Sequence, residues 1–217
     1  MDIKRLACKS GWNHQYNING FKTIPYQKKS IGNNTIKWNR IIEKCNFNNK
    51  KVLDLACSDG YFSVEACKNG ASYVEGIDLD EERIARANYV KNYYNYKNID
   101  FHIKDVYKMD LREPKYDIIM CLGLLHRIPD IDALIEKMCS SDSLLVIETK
   151  ILESRKPKLL QKGKKSKGND LNILYHVPSY PYLEQQLKKH GYNNIQFDIH
   201  PEDTNIYKRG LLICSKN

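Results

Sequence analysis

Apolar segments typical of β-strands alternate with helical segments from Val52 to Ser215. The predicted strands are, in chain order, VLDLA, YVEGID, IDFHIKD, YDIIMCL, SLLVIET, NIQFDIH and RGLLICS. Segments such as YFSVEACKN and DEERIARANYVKNYY separate them and have the pattern of helices. This alternation favours an α/β fold with a mostly parallel sheet and helices on both faces. Too few residues separate the last two strands for a helical crossover, so we expect that pair to be antiparallel.

The turn ACSDGY, between the first strand and the next helix, holds a single glycine, Gly60. Open α/β sheets bind ligands where the first strand meets the following helix. A dinucleotide there needs the pattern G-x-G-x-x-G, but Ala56, Ser58 and Tyr61 occupy those positions. Asp59 adds a negative charge that repels a pyrophosphate. S-adenosylmethionine has no phosphate and carries cationic groups, so the turn favours this cofactor over the alternative of a nicotinamide cofactor.

Three acidic residues mark the ends of successive predicted strands: Asp54, Asp78 and Asp105. Asp54 suits the positive groups of S-adenosylmethionine. Asp78 lies 18 residues after Gly60, and an acid at the end of the second strand typically binds ribose hydroxyls. Asp105, followed by Val106, places an acceptor and an apolar wall near a purine ring. Each acid also has a structural alternative, as the cap of a turn or helix or as an ordinary turn residue.

The stretch VLDLACSDGYFSVEACKNGA, with VEGIDLDEERIARA after it, resembles the class I S-adenosylmethionine-dependent methyltransferases. The first motif of that class is an acid-x-Gly-x-Gly-x-Gly loop. This chain keeps Asp54 and Gly60 and has Ala56 and Ser58 at the other glycine positions. The resemblance implies a Rossmann-like sheet of seven strands, mostly parallel and with an antiparallel last strand. The predicted cofactor-binding residues are Lys37, Asp54, Ala56, Ser58, Gly60, Asp78, Leu79, Asp105, Val106 and Cys121.

Several blocks are more closely similar to the bacterial tRNA wobble-uridine carboxymethyltransferases and their relatives. These blocks are IKWNRI, LGLLHRIPDIDALIEKM, LLVIET, HVPSYPYLEQQLKKHGYNNIQ and YKRGLLICSKN. That family uses a Lys, a Tyr and an Arg around the extra carboxylate of carboxy-S-adenosylmethionine. Lys37 and Arg209 match two of these positions, and His126 stands at the Tyr position.

Two reactions and one non-catalytic role remain open. Ordinary methyl transfer is commoner in class I, so we expect methyl transfer to a hydroxyl of a sugar, a small metabolite or a nucleoside. Carboxymethyl transfer to a tRNA uridine is the alternative. A cofactor-binding module without catalysis is the third interpretation. The expected partner is a small-molecule acceptor or tRNA.

His126 and Arg127 follow the fourth predicted strand, where the class places residues on the acceptor side. Methyl transfer chiefly needs proximity and alignment, and a hydroxyl acceptor can also use a general base. Histidine titrates near neutral pH and suits that role. His126 and Arg127 are therefore the predicted catalytic residues. The alternatives are a structural or carboxylate-orienting His126, and an Arg127 paired with Asp130 or Asp132.

Residues 1–33 are polar and aromatic without clear periodicity, which predicts an irregular N-terminal extension before a methyltransferase domain at 34–217. Our hypothesis is that this extension folds over the cofactor as a lid. The predicted substrate-binding residues are Trp12, His14, Tyr175 and Arg209.

The net charge of +9 is distributed unevenly along the chain. Between Lys150 and Asp170 there are eight basic and two acidic residues, a net charge of 8 − 2 = +6. We interpret residues 150–175 as a basic insertion in the domain. It is either a solvated, mobile loop or a loop that faces a polyanion such as tRNA.

The remaining composition points to an ordinary globular protein. The sequence has no apolar run of transmembrane length and no apolar signal region, so we expect a cytoplasmic protein without a membrane partner. Its seven cysteines form no C-x-x-C pair. We therefore expect free, mostly buried thiols and no metal site.

Overall fold

The computed structural model describes residues 12–18, 20–23, 30–112, 116–166, 169–199 and 208–216. The helices in these ranges are α1 (Ser30–Ile42), α2 (Tyr61–Lys68), α3 (Glu81–Tyr93), α4 (Ile131–Cys139) and α5 (Tyr180–Lys189). The strands in them are β1 (Asn17–Ile18), β2 (Phe21–Lys22), β3 (Lys51–Leu55), β4 (Tyr73–Asp78), β5 (Ile99–Ile103), β6 (Ile118–Leu122), β7 (Leu144–Ile151), β8 (Leu159–Ser166), β9 (Asn169–Pro178), β10 (Asn194–Ile199) and β11 (Lys208–Ser215). Short 3₁₀ turns lie at Val106–Lys108 and Leu125–Arg127.

Seven of the strands form one sheet in the order β10-β11-β7-β6-β3-β4-β5. The pairs β3–β4, β4–β5 and β6–β7 are parallel. Strand β11 is antiparallel to both of its neighbours, β10 and β7. The predicted Rossmann-like sheet of seven strands, mostly parallel with an antiparallel last strand, is confirmed. The expected antiparallel pairing of the last two strands is also confirmed.

The chain divides into two compact units, Met1–Asp105 and Val106–Asn217. In the first unit, β3 buries every residue after Lys51, as expected for a strand covered on both faces. Helix α3 begins after the N-cap Asp80, whose side chain accepts a hydrogen bond from the backbone N–H of Arg83 at 3.1 Å. The same helix buries Ile84, Ala87 and Val90, the apolar face that its spacing predicts.

In the second unit, α4 buries Leu134 and Met138 among its core residues. Strands β7 and β11 are buried along most of their length. The basic insertion is not a loop: β8 and β9 form an antiparallel hairpin with a register shift at Lys165/Ser166. Lysine and glycine have low strand propensity, which is why the sequence pattern did not indicate β8, with the sequence LLQKGKKS.

Two further observations bear on the expectations from composition. The described cysteines are free thiols, and all of them except Cys67 are buried. Within the part of the chain that the structure describes, we find no helix with the length and apolar character needed to cross a membrane.

Candidate functional site

The loop after β3 adopts a left-handed backbone at alternate residues. The φ angles are 56° at Ala56, 56° at Ser58 and 81° at Gly60. These are the three glycine positions of the class I motif, so the backbone keeps the conformation although two of the glycines are absent. A left-handed conformation costs a non-glycine residue about 1–2 kcal/mol. Gly60 cannot be replaced in the same way, because a Cβ there would lie 2.5 Å from the Phe101 ring.

Asp78, at the end of β4, is hydrogen-bonded to the backbone of this loop. Its Oδ2 accepts a hydrogen bond from the Ser58 N–H at 3.0 Å, and its Oδ1 accepts one from the Asp80 N–H at 3.0 Å. A carboxylate offers about four acceptor sites, so these two bonds leave acceptor capacity for other donors. Arg83 Nη1 also lies 3.8 Å from the Oδ2 of Asp78. Binding of ribose hydroxyls by Asp78 stays a prediction.

Asp54 lies within β3 and is 1% exposed. Its carboxylate accepts a hydrogen bond from the Ser63 hydroxyl at 2.7 Å. Burial, opposed by the Ser63 hydrogen bonds and assisted by the charge of Asp78, raises the pKa of Asp54 to about 7. Asp54 thus changes its charge near neutral pH, where it can respond to a cationic ligand.

Asp59 has a different role from the one predicted from charge. It is fully buried, and its Oδ2 accepts the backbone N–H groups of Asn13 at 2.7 Å and His14 at 3.0 Å. Its other oxygen pairs with Nδ1 of His14. Burial opposes ionisation of Asp59, but the His14 interactions and the Asn13 N–H together lower its pKa. The carboxylate is therefore engaged by the N-terminal segment, and its negative charge does not face an open ligand site.

Other predicted cofactor residues of the first unit lie in varied surroundings. Leu79, directly after β4, is 68% exposed, so it offers apolar surface beside Asp78. Lys37 is half-buried on α1, with its Nζ 5.3 Å from the centre of the Phe62 ring. Asp105 is half-buried two residues past the end of β5.

Trp12, a predicted substrate residue, is fully buried, so its predicted contact with a substrate would require a rearrangement.

Two predicted cofactor residues belong to the second unit. Val106 is half-buried at the start of a 3₁₀ turn. Cys121 is fully enclosed within β6 and exposes no surface to a ligand in this conformation. The assignment of both residues to the cofactor site stays a prediction.

A buried polar cluster in the second unit joins β7, β11 and the turn at Leu125–Arg127. The Arg209 guanidinium pairs with the Glu148 carboxylate through Nε and through Nη2, the latter at 2.5 Å. Its Nη1 lies 3.3 Å from Nε2 of His126. The Nδ1 of His126 lies 3.2 Å from the Thr149 hydroxyl. Glu148, Thr149 and His126 are each no more than 2% exposed.

The partners of His126 fix its protonation state. A guanidinium only donates hydrogen bonds, so Nε2 of His126 accepts from Arg209. Nδ1 therefore carries the hydrogen and donates a hydrogen bond to the Thr149 hydroxyl. Burial, followed by the charge of Arg209, lowers the pKa of His126 to about 2. His126 is thus a neutral side chain, and the lone pair on its Nε2 already accepts a hydrogen bond from Arg209. This arrangement suits a residue that orients Arg209 rather than one that removes a proton.

The carboxylates expected to pair with Arg127 have other contacts. Asp130 is the N-cap of α4 and accepts the Ala133 N–H at 2.9 Å. Asp132 accepts the Tyr182 hydroxyl at 2.5 Å. Arg127 itself is exposed, and its catalytic assignment stays a prediction.

The hairpin contributes one buried histidine that the sequence did not single out. His176 lies 2.7 Å from the Ile128 carbonyl through Nδ1 and 3.1 Å from the Gln161 amide nitrogen through Nε2. It thereby ties β9 to the segment that carries His126. Tyr175, a predicted substrate residue, lies opposite Lys162 in the hairpin register, and its side chain lies outside the described residues.

Sequence-based prediction missed three members of these clusters. Glu148 and Thr149 belong to the block LLVIET, whose pattern predicts a strand but gives no indication of a polar cluster. Asn13 lies in the extension, where the pattern carried no signal. The signal that could have indicated Glu148 and Thr149 is a pair of polar residues after the apolar run LLVI of a buried strand.

Residues 46–179, more than half of the chain, match the model of a family described as a methyltransferase domain. The tRNA U34 carboxymethyltransferase of Nautilia profundicola is 23% identical over 165 residues, covering 75% of this chain and 54% of the relative. A ubiquinone biosynthesis O-methyltransferase of Coxiella burnetii is 27% identical over 177 residues, covering 78% and 66%. The chain spans about half the length of the first of these relatives.

A solved structure of the N-terminal domain of EvdMO1, with SAH bound, has a similar fold. Its TM-score is 0.71 at 17% sequence identity, and the superposition covers 98% of this chain and 93% of that domain. The family match, the strand order and the left-handed loop at the motif glycines agree with one another. The chain belongs to the methyltransferase-domain family, whose cofactor is S-adenosylmethionine.

Proposed function

We propose that the protein is an S-adenosylmethionine-dependent methyltransferase that acts on a hydroxyl of a sugar, a small metabolite or a nucleoside. The observation that carries the proposal is the loop after β3. Its backbone is left-handed at all three motif positions, and it is hydrogen-bonded to Asp78.

The residues of the first unit fit the cofactor. Asp78 retains acceptor capacity for the ribose hydroxyls, and Leu79 offers exposed apolar surface for the adenine ring. Asp54 supplies a carboxylate for the cationic groups. When bound, the cofactor supplies a methyl carbon that its sulfonium already activates. The chain then chiefly has to bind and align the reactants.

The polar cluster of the second unit favours ordinary methyl transfer over carboxymethyl transfer. Glu148 already neutralises the charge of Arg209 through a bidentate pair. A neutral pair attracts an additional carboxylate far less than an uncompensated guanidinium would. His126 is also neutral, so it offers no positive charge to an additional carboxylate.

Carboxymethyl transfer to a tRNA uridine is the second candidate. It is supported by the name of the Nautilia relative and by the matches of Lys37 and Arg209 to the family pattern. The hairpin β8–β9 adds a lysine-rich segment of the kind that binds nucleic acid backbones. This candidate predicts tRNA binding that weakens steeply with salt and that is reduced by replacing Lys162, Lys164 and Lys165 with serine.

Identification of the ligand that co-purifies with the protein tests the two candidates. Denaturation of the purified protein is expected to release S-adenosylmethionine or its demethylated product, which mass spectrometry identifies. Release of carboxy-S-adenosylmethionine would favour the second candidate, and release of NAD would overturn both. A screen for transfer of labelled methyl groups to hydroxyl compounds and to tRNA then identifies the acceptor. Absence of transfer to every acceptor would favour a binding module.

Cofactor affinity is expected to depend on pH through Asp54. The pKa of about 7 means that Asp54 is protonated in the free protein below pH 7. A cationic cofactor binds the ionised carboxylate, so binding below pH 7 releases a proton. The affinity should therefore fall roughly tenfold per pH unit from pH 7 towards pH 5 and stay constant above pH 7.

Calorimetry in buffers of different ionisation enthalpy measures this proton release directly. The variant Asp54→Asn keeps an acceptor for Ser63 and removes the titrating group, so its affinity should be low and independent of pH. Glu65→Gln, which removes an acid on α2, is the matched control and should retain the pH dependence. An unchanged pH profile in Asp54→Asn would show that another group titrates.

A further inference from the structure

We propose that residues 12–16, here called the N-terminal clamp, hold the cofactor loop in its left-handed conformation and thereby replace two absent glycines. Asn13 and His14 are then positioning residues for the cofactor. This inference rests on the proposed function only in taking the loop as the cofactor site. It differs from a lid, because the clamp acts on the protein backbone and does so before any ligand binds.

Five hydrogen bonds join the clamp to Ser58 and Asp59. The Asp59 carboxylate accepts from the backbone N–H groups of Asn13 and His14 and pairs with the His14 ring. The Asn13 amide donates to the Ser58 hydroxyl. The Tyr16 hydroxyl donates to the Asp59 carbonyl at 2.9 Å. These contacts reach one of the strained residues, Ser58, and the residue between it and Gly60.

The clamp also packs against the helix that follows the loop. The His14 ring stacks on Tyr61 with centroids 4.9 Å apart and an interplanar angle of 13°. It meets Phe62 edge-on at 5.6 Å. His14 is 7% exposed. Helix α2 begins at Tyr61, so the clamp contacts both the loop and the first turn of the helix.

A second set of bonds makes the clamp rigid. Thr23, fully buried after β2, accepts the Tyr16 N–H at 2.8 Å through its hydroxyl and donates to the His14 carbonyl at 3.0 Å. Its own N–H donates to the Tyr16 carbonyl at 2.8 Å. The Tyr94 hydroxyl, on the residue after α3, donates to the Asn17 carbonyl at 2.6 Å. The clamp is thus anchored independently of the loop that it holds.

The backbone explains why such a device is needed. Alanine and serine reach the left-handed region only when their surroundings over-determine the conformation. The Asp78 carboxylate holds the loop through a hydrogen bond from the Ser58 N–H. The clamp holds the loop through Asp59, the residue that follows Ser58. With glycine at positions 56 and 58, the same backbone would be accessible without this help.

Restoring the glycines tests the inference. His14→Ala is made in the native background and in the Ala56→Gly/Ser58→Gly background, and amide hydrogen exchange of residues 56–60 is measured without ligand. Loss of a hydrogen bond to a charged group should accelerate exchange by about tenfold in the native background. In the glycine background, the acceleration should be less than about threefold. Lys22→Ala, an exposed position of β2, is the matched control and should accelerate exchange in neither background.

The dissociation constant for S-adenosylmethionine, measured by calorimetry, should follow the same pattern. Equal acceleration in both backgrounds would overturn the inference, because the clamp would then stabilise the protein without relation to the loop conformation. No acceleration in the native background would overturn it as well. If His14→Ala fails to fold, Tyr16→Phe removes the hydroxyl that donates to the Asp59 carbonyl. That bond exists in both backgrounds, so this variant carries the same comparison. If the native protein does not bind S-adenosylmethionine, the proposed function fails, while the exchange rates still decide the inference.

Discussion

Replacing Asp78 with alanine is expected to weaken the binding of S-adenosylmethionine by about 1,000-fold. The carboxylate holds the Ser58 and Asp80 N–H groups and, in our proposal, accepts the ribose hydroxyls. Loss of two charge-assisted hydrogen bonds to the ligand corresponds to about 4 kcal/mol. Calorimetric titration of the native and variant proteins measures the change.

A competition experiment separates ribose binding from distortion of the loop. Adenosine and 2′-deoxyadenosine are compared as competitors in both proteins. The native protein should prefer adenosine, and Asp78→Ala should discriminate less than threefold. Asp80→Ala is the matched control: it removes the N-cap of α3 at a stability cost of about 1 kcal/mol and should leave cofactor affinity within about threefold of the native value. Retained discrimination in Asp78→Ala would assign the ribose to another residue.

The elements that the sequence predicts well are those defined by local patterns. The segment YVEGID coincides with β4, and the apolar face of α3 is the one that its spacing indicates. In α3 the helical periodicity of the apolar residues is sufficient, because burial on one side of the helix selects it. In β4 every residue after Tyr73 is buried, so the signal is a short, mostly apolar run between turns. The strand–loop–helix unit around Gly60 is predictable for the same reason.

The conformation of the loop is not predictable from its residues. Alanine and serine at positions 56 and 58 give no local signal for a left-handed backbone, since both prefer other regions. The conformation follows from contacts with residues far away in the sequence. His14 is 45 positions from Asp59, its partner.

The environment of His126 likewise depends on distant residues. The sequence predicts a general base, because histidine titrates near neutral pH when it is solvated. Burial is the main cause of the change in this behaviour, and Arg209, 83 positions away, adds a hydrogen bond and a positive charge. A residue type therefore indicates which chemistry is available, while the tertiary partners decide whether it is used.

Replacing Arg209 with alanine is expected to lower the free energy of unfolding by about 3–5 kcal/mol. Glu148 is 2% exposed, and the substitution removes the bidentate partner of its buried carboxylate. Lys208→Ala provides the matched control on the adjacent residue. Lys208 pairs with Glu153, which is exposed, so that pair should contribute no more than about 1 kcal/mol. Denaturant titration of the three proteins measures the difference.

The double variant Arg209→Met/Glu148→Leu shows whether the loss comes from the stranded charge. Apolar residues of similar volume remove both charges, so most of the lost stability should return. In Arg209→Ala, the pKa of His126 should also rise, because the guanidinium is one cause of its depression; a histidine NMR titration measures this. If Arg209→Ala cost no more than Lys208→Ala, the cluster would not be held by this ion pair. A stability loss without a change at His126 would separate the structural role of the pair from its control of the histidine.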